Sequence, residues 1–192
     1  MIKKSKINLN DIKLLVMDVD GVLTDGRVEV FDDGSEGKSF NVLDGHGIRI
    51  WRRAGGKCAF LSGRSSQATA IRAEQLEIDY CFQPSPSEVQ GFEKLPVLKK
   101  LLEDAGIPAE RAAYIGDDLM DLSAIRFVGF GVAVANAVDE IKEQANYVTT
   151  RRGGEGAVRE VIEYILKNTG RWPAPASGDA SRGGGEEKKI KS

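Results

Sequence analysis

A single histidine and two cysteines stand among the 192 residues, too few for a zinc centre of the usual His and Cys type. The cysteines, Cys58 and Cys81, lie in the apolar strings CAFL and YCF, which read as core thiols of a reducing compartment and not as a disulfide. No apolar run approaches the roughly 20 residues needed to cross a bilayer, and the basic start MIKKSKINLNDIK leads into no apolar signal segment. Charge of one sign is lacking too: 27 basic against 29 acidic side chains leave a formal net charge of -2, which gives no overall footprint for nucleic acid. The expectation is one cytoplasmic domain of ordinary size, with no membrane or nucleic-acid partner, whose function rests on local chemistry.

What is present begins with Leu14 to Gly26, LLVMDVDGVLTDG. An unbroken apolar run of this length reads as a buried parallel strand, so Leu14 to Met17 delivers Asp18 at the sheet edge where ligands of open α/β folds gather. Asp18 and Asp20 are too close for both to ionise in a dry site without a counter-ion. A hard cation such as Mg2+ would supply it, since it takes oxygen ligands. The competing reading is a plain Asp and Gly turn.

Downstream, RVEVFDDGSEGKSFNV reads as a β-hairpin: Val28 and Val30 alternate with polar neighbours, Asp32 to Gly34 turns, and Phe40 and Val42 resume the alternation. A helix follows over Ile48, Ile50 and Trp51. CAFL is the next strand, ending in Ser62, Gly63 and Arg64, and Ser65 or Ser66 caps a helix that buries Ala68, Ile71, Ala73 and Leu76. Tyr80 to Phe82 is a short strand. Pro96 stands in the first turn of a helix running to about Ala105, with Lys94 just ahead of it. Ala112 to Ile115 is a strand ending in GDDLMD, which carries Asp117, Asp118 and Asp121. Two further strands and two helices complete an α/β order that predicts a Rossmann-like parallel sheet with helices on both faces, a hairpin inserted after the first strand, and no cap domain. Residues 1–10 read as a polar lead-in, 11–172 as the domain, and 173–192 as a disordered tail with little apolar area to repay ordering.

Three strand ends thus bring Asp18 and Asp20, Ser62 and Arg64, and Asp117, Asp118 and Asp121 to one edge. That set suits phosphoryl transfer through an aspartyl-phosphate. Asp18 is the expected nucleophile, Asp20 the general acid and base, Ser62 a donor to a phosphate oxygen, and Lys94 the charge stabiliser. Asp117 is the expected metal carboxylate, and Asp118 and Asp121 the groups that support it.

These four motifs, Asp18-Val19-Asp20-Gly21, Ser62, a lysine, and Gly116-Asp117-Asp118 with Asp121, resemble those of the haloacid dehalogenase-like superfamily. The longer strings DVDGVLTDG, KSFNVLDGHGIR, SGRSS, YIGDDLMDL and GGEGAVREVIEYIL resemble the 3-deoxy-D-manno-octulosonate 8-phosphate phosphatases within it. The resemblance implies Mg2+-dependent hydrolysis of that sugar-acid phosphate in lipopolysaccharide precursor synthesis, by a homotetramer in which one subunit's hairpin helps close the neighbour's site. It implies Mg2+ on Asp18, the Asp20 carbonyl and Asp117. It further implies Arg64 and Gly63 at the substrate, with Gly45 and Gly47 bringing backbone to the cleft. The chain departs from that pattern at Leu43, where an arginine is usual, and over QPSPSEVQGFEKLP, where the usual string is shorter. The alternatives are a phosphatase for a nine-carbon keto sugar acid phosphate and a non-catalytic regulatory module of the same fold.

Overall fold

A computed structural model describes residues 7–85, 87 and 92–173. The chain enters β1 (Leu14–Met17) and turns through a hairpin of β2 (Glu29–Val30) and β3 (Glu36–Gly37). It then alternates through α1 (Val42–Arg53), β4 (Lys57–Leu61), α2 (Gln67–Gln75), β5 (Tyr80–Phe82), α3 (Lys94–Ala105) and β6 (Ala112–Gly116). α4 (Leu122–Phe127), β7 (Phe130–Ala133), α5 (Asp139–Gln144), β8 (Tyr147–Val148) and α6 (Ala157–Asn168) complete it.

The sheet has six strands in the order β5-β4-β1-β6-β7-β8, all paired in parallel. β1 lies between β4 and β6 and is covered on both faces, so all four of its side chains are buried. Counting only these six strands along the chain, the order is 3-2-1-4-5-6. Its winding reverses between β1 and β6, which opens a crevice at their carboxyl ends. α1 packs against α6, while α4 packs against both α3 and α5. The apolar stripe of α6, Val158, Val161, Ile162, Ile165 and Leu166, is buried throughout.

Between β1 and α1 the chain builds only the hairpin, closed by Gly34 donating to the Phe31 carbonyl and Phe31 to that of Ser35. Val28, Val30 and Phe31 are exposed on it. Phe40 and Val42 do not continue a strand, because the Asn41 side chain accepts the Leu43 amide and starts α1 there. On α2 the buried residues are Thr69 and Ala73, and Ile71 turns outward at 46% exposure. Ser66 sits at the N-cap without a side-chain cap bond. Cys58 is buried, but Cys81 is exposed, since β5 is the sheet's edge strand. The expected tail lies outside the described residues except for Pro173, as do residues 1–6 of the lead-in.

Candidate active site

β1 delivers Asp18 to the crevice, where the residue is 5% exposed. Its backbone amide still donates to the Ile115 carbonyl, extending the ladder to β6, and its Oδ1 accepts the Val19 amide at 2.7 Å. The chain then coils tightly: the Leu23 and Thr24 amides both donate to the Val19 carbonyl, and Thr24 Oγ1 accepts from Gly21 and Gly26. Gly21 has φ +94, and a Cβ there would stand 2.0 Å from Asp117 Oδ2, so glycine is required both by conformation and by space.

Distant chain segments brace this coil. Asn136 donates to the Gly21 carbonyl at 3.0 Å and accepts the Gly153 amide at 2.6 Å. Gly154 donates to the Val22 carbonyl, and Asn41 donates to that of Gly154 at 3.0 Å. A Cβ on Gly153 would lie 1.8 Å from the Gly21 oxygen. The Gly153-Gly154 turn is therefore in direct contact with the coil that follows Asp18.

β6 delivers Asp117 beside Asp18. Carboxylate oxygens of Asp18, Asp117 and Asp121 all lie within 4.8 Å of one another. Asp121 is fully engaged: Oδ1 takes the Lys94 ammonium at 2.6 Å and the Tyr114 hydroxyl at 2.7 Å, and Oδ2 accepts the Asp117 and Asp118 amides. Asp118 is exposed, and its Oδ1 accepts the Leu119 amide to cap the 3-10 turn at residues 119–121. Asp117 Oδ1 is buried without a hydrogen-bond partner among the described residues.

Lys94 is the first residue of α3. Its side chain is 3% exposed and its ammonium lies 2.9 Å from Asp18 Oδ1 as well as on Asp121. Burial opposes that charge, but the two carboxylates outweigh burial and hold the lysine protonated. Burial and repulsion from Asp121 push the Asp18 carboxyl well up, with Lys94 pulling the other way. Asp117 is pushed up to about 6 by burial and by Asp121. Tyr114, inside an apolar strand, and Lys38, in the polar hairpin exit, also belong to this cluster, and neither local sequence context signals it. Lys38 forms an ion pair with Asp20.

Ser62 lies at the end of β4, where its hydroxyl is 3.4 Å from Asp20 Oδ2 and accepts the Arg64 amide at 3.0 Å. Arg64 reaches back to the hairpin and pairs with Glu36 at 2.9 Å. Gly63 is flanked by Met120, Phe92 and the Lys94 stem. Gly45 and Gly47 do not bring backbone to the cleft. They lie inside α1, where their bare faces meet Arg72 and Arg159 and permit close packing against α2 and α6.

A sequence model of haloacid dehalogenase-like hydrolases matches residues 89–162. The chain is 40% identical over 161 residues to the 3-deoxy-D-manno-octulosonate 8-phosphate phosphatase KdsC of Escherichia coli (strain K12), covering 84% of this chain and 82% of that one. The chain belongs to the haloacid dehalogenase-like hydrolases.

Among solved members of that family, the 3-deoxy-D-manno-octulosonate 8-phosphate phosphatase of Moraxella catarrhalis, in complex with magnesium, phosphate and KDO, is 42% identical. It covers 83% of this chain and 88% of its own at a TM-score of 0.77. The cobalt-bound deoxy-D-mannose-octulosonate 8-phosphate phosphatase of Haemophilus influenzae is 40% identical, covering 84% and 91%, with a TM-score of 0.79.

The acidic cluster of this hydrolase fits a hard divalent cation. Burial and the neighbouring Asp121 carboxylate drive both Asp18 and Asp117 toward protonation, and Asp117 Oδ1 is buried with no donor among the described residues. Asp18 and Asp117 have oxygens to give, whereas every oxygen of Asp121 is already in use. Asp121 instead fixes the Lys94 ammonium and the backbone that carries Asp117.

Proposed function

We propose that this chain hydrolyses 3-deoxy-D-manno-octulosonate 8-phosphate to the free sugar acid and phosphate, through an aspartyl-phosphate on Asp18. The observation that carries the reading is the buried Lys94 bridging Asp18 and Asp121 beside Asp117, at the reversal point of the sheet. It supports Asp18 as a carboxylate nucleophile with a fixed positive charge beside it.

In the first step an oxygen of Asp18 bonds to phosphorus as the ester oxygen leaves, and Asp20 gives its proton to that oxygen. In the second, water attacks phosphorus and returns a proton to Asp20, releasing phosphate and the Asp18 carboxylate. Lys94 and the Ser62 hydroxyl face the charge spread over the phosphoryl oxygens. The Asp18 and Asp117 carboxylates and the Asp20 carbonyl would hold Mg2+, which would add positive charge against those oxygens. Arg64 offers a guanidinium fork to the sugar carboxylate, after exchanging its partner Glu36.

Support for the substrate comes from the named activity of relatives at 40% and 42% identity. Support for assembly comes from the hairpin, where the apolar Val28, Val30 and Phe31 are exposed and a second copy would cover them. The reading is a cytoplasmic homotetramer in which the hairpin packs on a neighbour.

The deciding experiment measures phosphate release with and without Mg2+ across a panel of eight- and nine-carbon keto sugar acid phosphates. The eight-carbon compound is expected to give the highest kcat/KM, and Asp18→Asn to abolish turnover with the fold intact. A preference for the nine-carbon compound would overturn the substrate, and retained turnover in Asp18→Asn the nucleophile.

A further inference from the structure

The hairpin reaches the strand-end cluster through two residues of its return side. Glu36 and Lys38 occupy alternate positions, a spacing that sends extended side chains the same way, and both meet groups at the sheet edge. Glu36 holds Arg64, and Lys38 holds Oδ1 of Asp20. The Lys38 side chain is 3% exposed and that of Asp20 18%, whereas the surface pair Lys100 and Asp104 is more than half exposed on both sides. A lysine drawn so far out of water from a polar hairpin costs desolvation that only its partner offsets. Orienting that partner is therefore its expected effect on the site.

Asp20 has two oxygens, and the neighbours divide them. Lys38 takes Oδ1. Oδ2 faces the Ser62 hydroxyl at 3.4 Å, the group read as a hydrogen-bond donor to a phosphate oxygen. We propose that Lys38 is a positioning residue for Asp20: by anchoring Oδ1 it presents Oδ2 to the leaving oxygen of the phosphate ester, so that the hairpin sets proton delivery. The inference rests on the reading of Asp20 as the proton donor.

It makes a prediction that a merely structural lysine does not. Protonation of the leaving oxygen matters for an alkyl ester and little for 4-nitrophenyl phosphate, whose leaving group departs as a stable anion. The ratio kcat/KM reports steps up to departure of that group and excludes the later hydrolysis common to both substrates. Full-length enzyme with Mg2+ is assayed on 3-deoxy-D-manno-octulosonate 8-phosphate and on 4-nitrophenyl phosphate. Lys38→Met is expected to lose about 100-fold on the sugar phosphate, the lower end of what positioned acid catalysis supplies, and under about threefold on the aryl ester. Lys38→Arg, which keeps charge and donors, is expected to recover most of the loss.

Asp20→Asn serves as the reference. If it shows the same split and Lys38→Met lowers both substrates equally, Lys38 is not a positioning residue and the inference fails alone. If Asp20→Asn itself lowers both equally, the proton-donor reading fails first. Should Lys38→Met not fold, Lys38→Gln retains a donor of similar length without charge, and equal losses on both esters would again overturn the proposal.

Discussion

Asp44 accepts the backbone amide of Arg159 at 2.8 Å, across 115 residues of chain. One partner lies in the first turn of α1 and the other in the first turn of α6, so a carboxylate of one helix caps the positive end of the next. Asp44 is 1% exposed, and its Oδ2 has no partner among the described residues. Burial pushes its pKa up to about 6, with the Arg159 and Gly156 amides offsetting part of the rise.

A raised carboxyl pKa means that folding binds a proton between about 4 and 6, so this group's share of stability is present in acid and is lost as pH rises through 6. The span corresponds to about 3 kcal/mol. Asp44→Asn cannot titrate but keeps an acceptor for Arg159. The gap in melting temperature between pH 4.5 and 7.5 is expected to change by ~5 to 10 °C relative to the parent protein. An identical gap in both proteins would remove Asp44 from the pH response.

Truncating Asn136 to Ala strips the Gly21 carbonyl and the Gly153 amide of their partner at once. The expected cost is about 1 to 3 kcal/mol for each group left buried and unpaired, read by urea unfolding. Turnover should fall with it, since the coil after Asp18 loses its brace. Full activity in this variant would show that the brace is dispensable.

Gly153→Ala introduces a Cβ at 1.8 Å from the Gly21 oxygen, a contact with backbone that no rotamer relieves. The variant is expected to lose at least tenfold in kcat/KM while retaining helical circular dichroism. Unchanged kinetics would mean that the glycine turn can move without disturbing the site.

Replacing Lys94 by Met leaves Asp18 and Asp121 as buried carboxylates without their cation. Breaking such a network costs about 3 to 5 kcal/mol, while Tyr114→Phe removes only one hydrogen bond to Asp121 and should cost about 1.5 to 3 kcal/mol. Thermal melts of the two variants check the order, and a more destabilised Tyr114→Phe would refute it.

Mg2+ relieves the repulsion between Asp18 and Asp117 only in the folded state, so it should raise the melting temperature in proportion to the logarithm of its concentration. Asp117→Asn is expected to flatten that rise, and chelation to reverse it in the parent protein. A Mg2+-dependent rise that survives in Asp117→Asn would place the ion elsewhere.

Much of this was legible along the chain. The run Leu14–Met17 announces itself because a strand covered on both faces must be apolar at every position, and Asp18, Ser62 and Asp117 follow strands of that kind. The alternation of Phe40 and Val42 suggests a strand, but the Asn41 side chain starts α1 there. Gly45 and Gly47 look like any close-approach glycines; which neighbour they admit, Arg72 or Arg159, is a tertiary fact. Lys38 sits in a polar hairpin and Tyr114 in an apolar strand, so neither local context hints at Asp20 or Asp121 as a partner.

The position of β1 also governs how the protein is made. Leu14 pairs with Lys57 on one side and with Ala112 on the other, so the most apolar strand leaves the ribosome long before its second neighbour exists. At about 5 to 20 residues per second, the roughly 100 intervening residues take about 5 to 20 s to synthesise. Through that interval the strand is exposed to pairing with other chains, and long-range parallel pairing is slow to form afterwards. The segment bearing Asp18 is therefore among the last to reach its final surroundings.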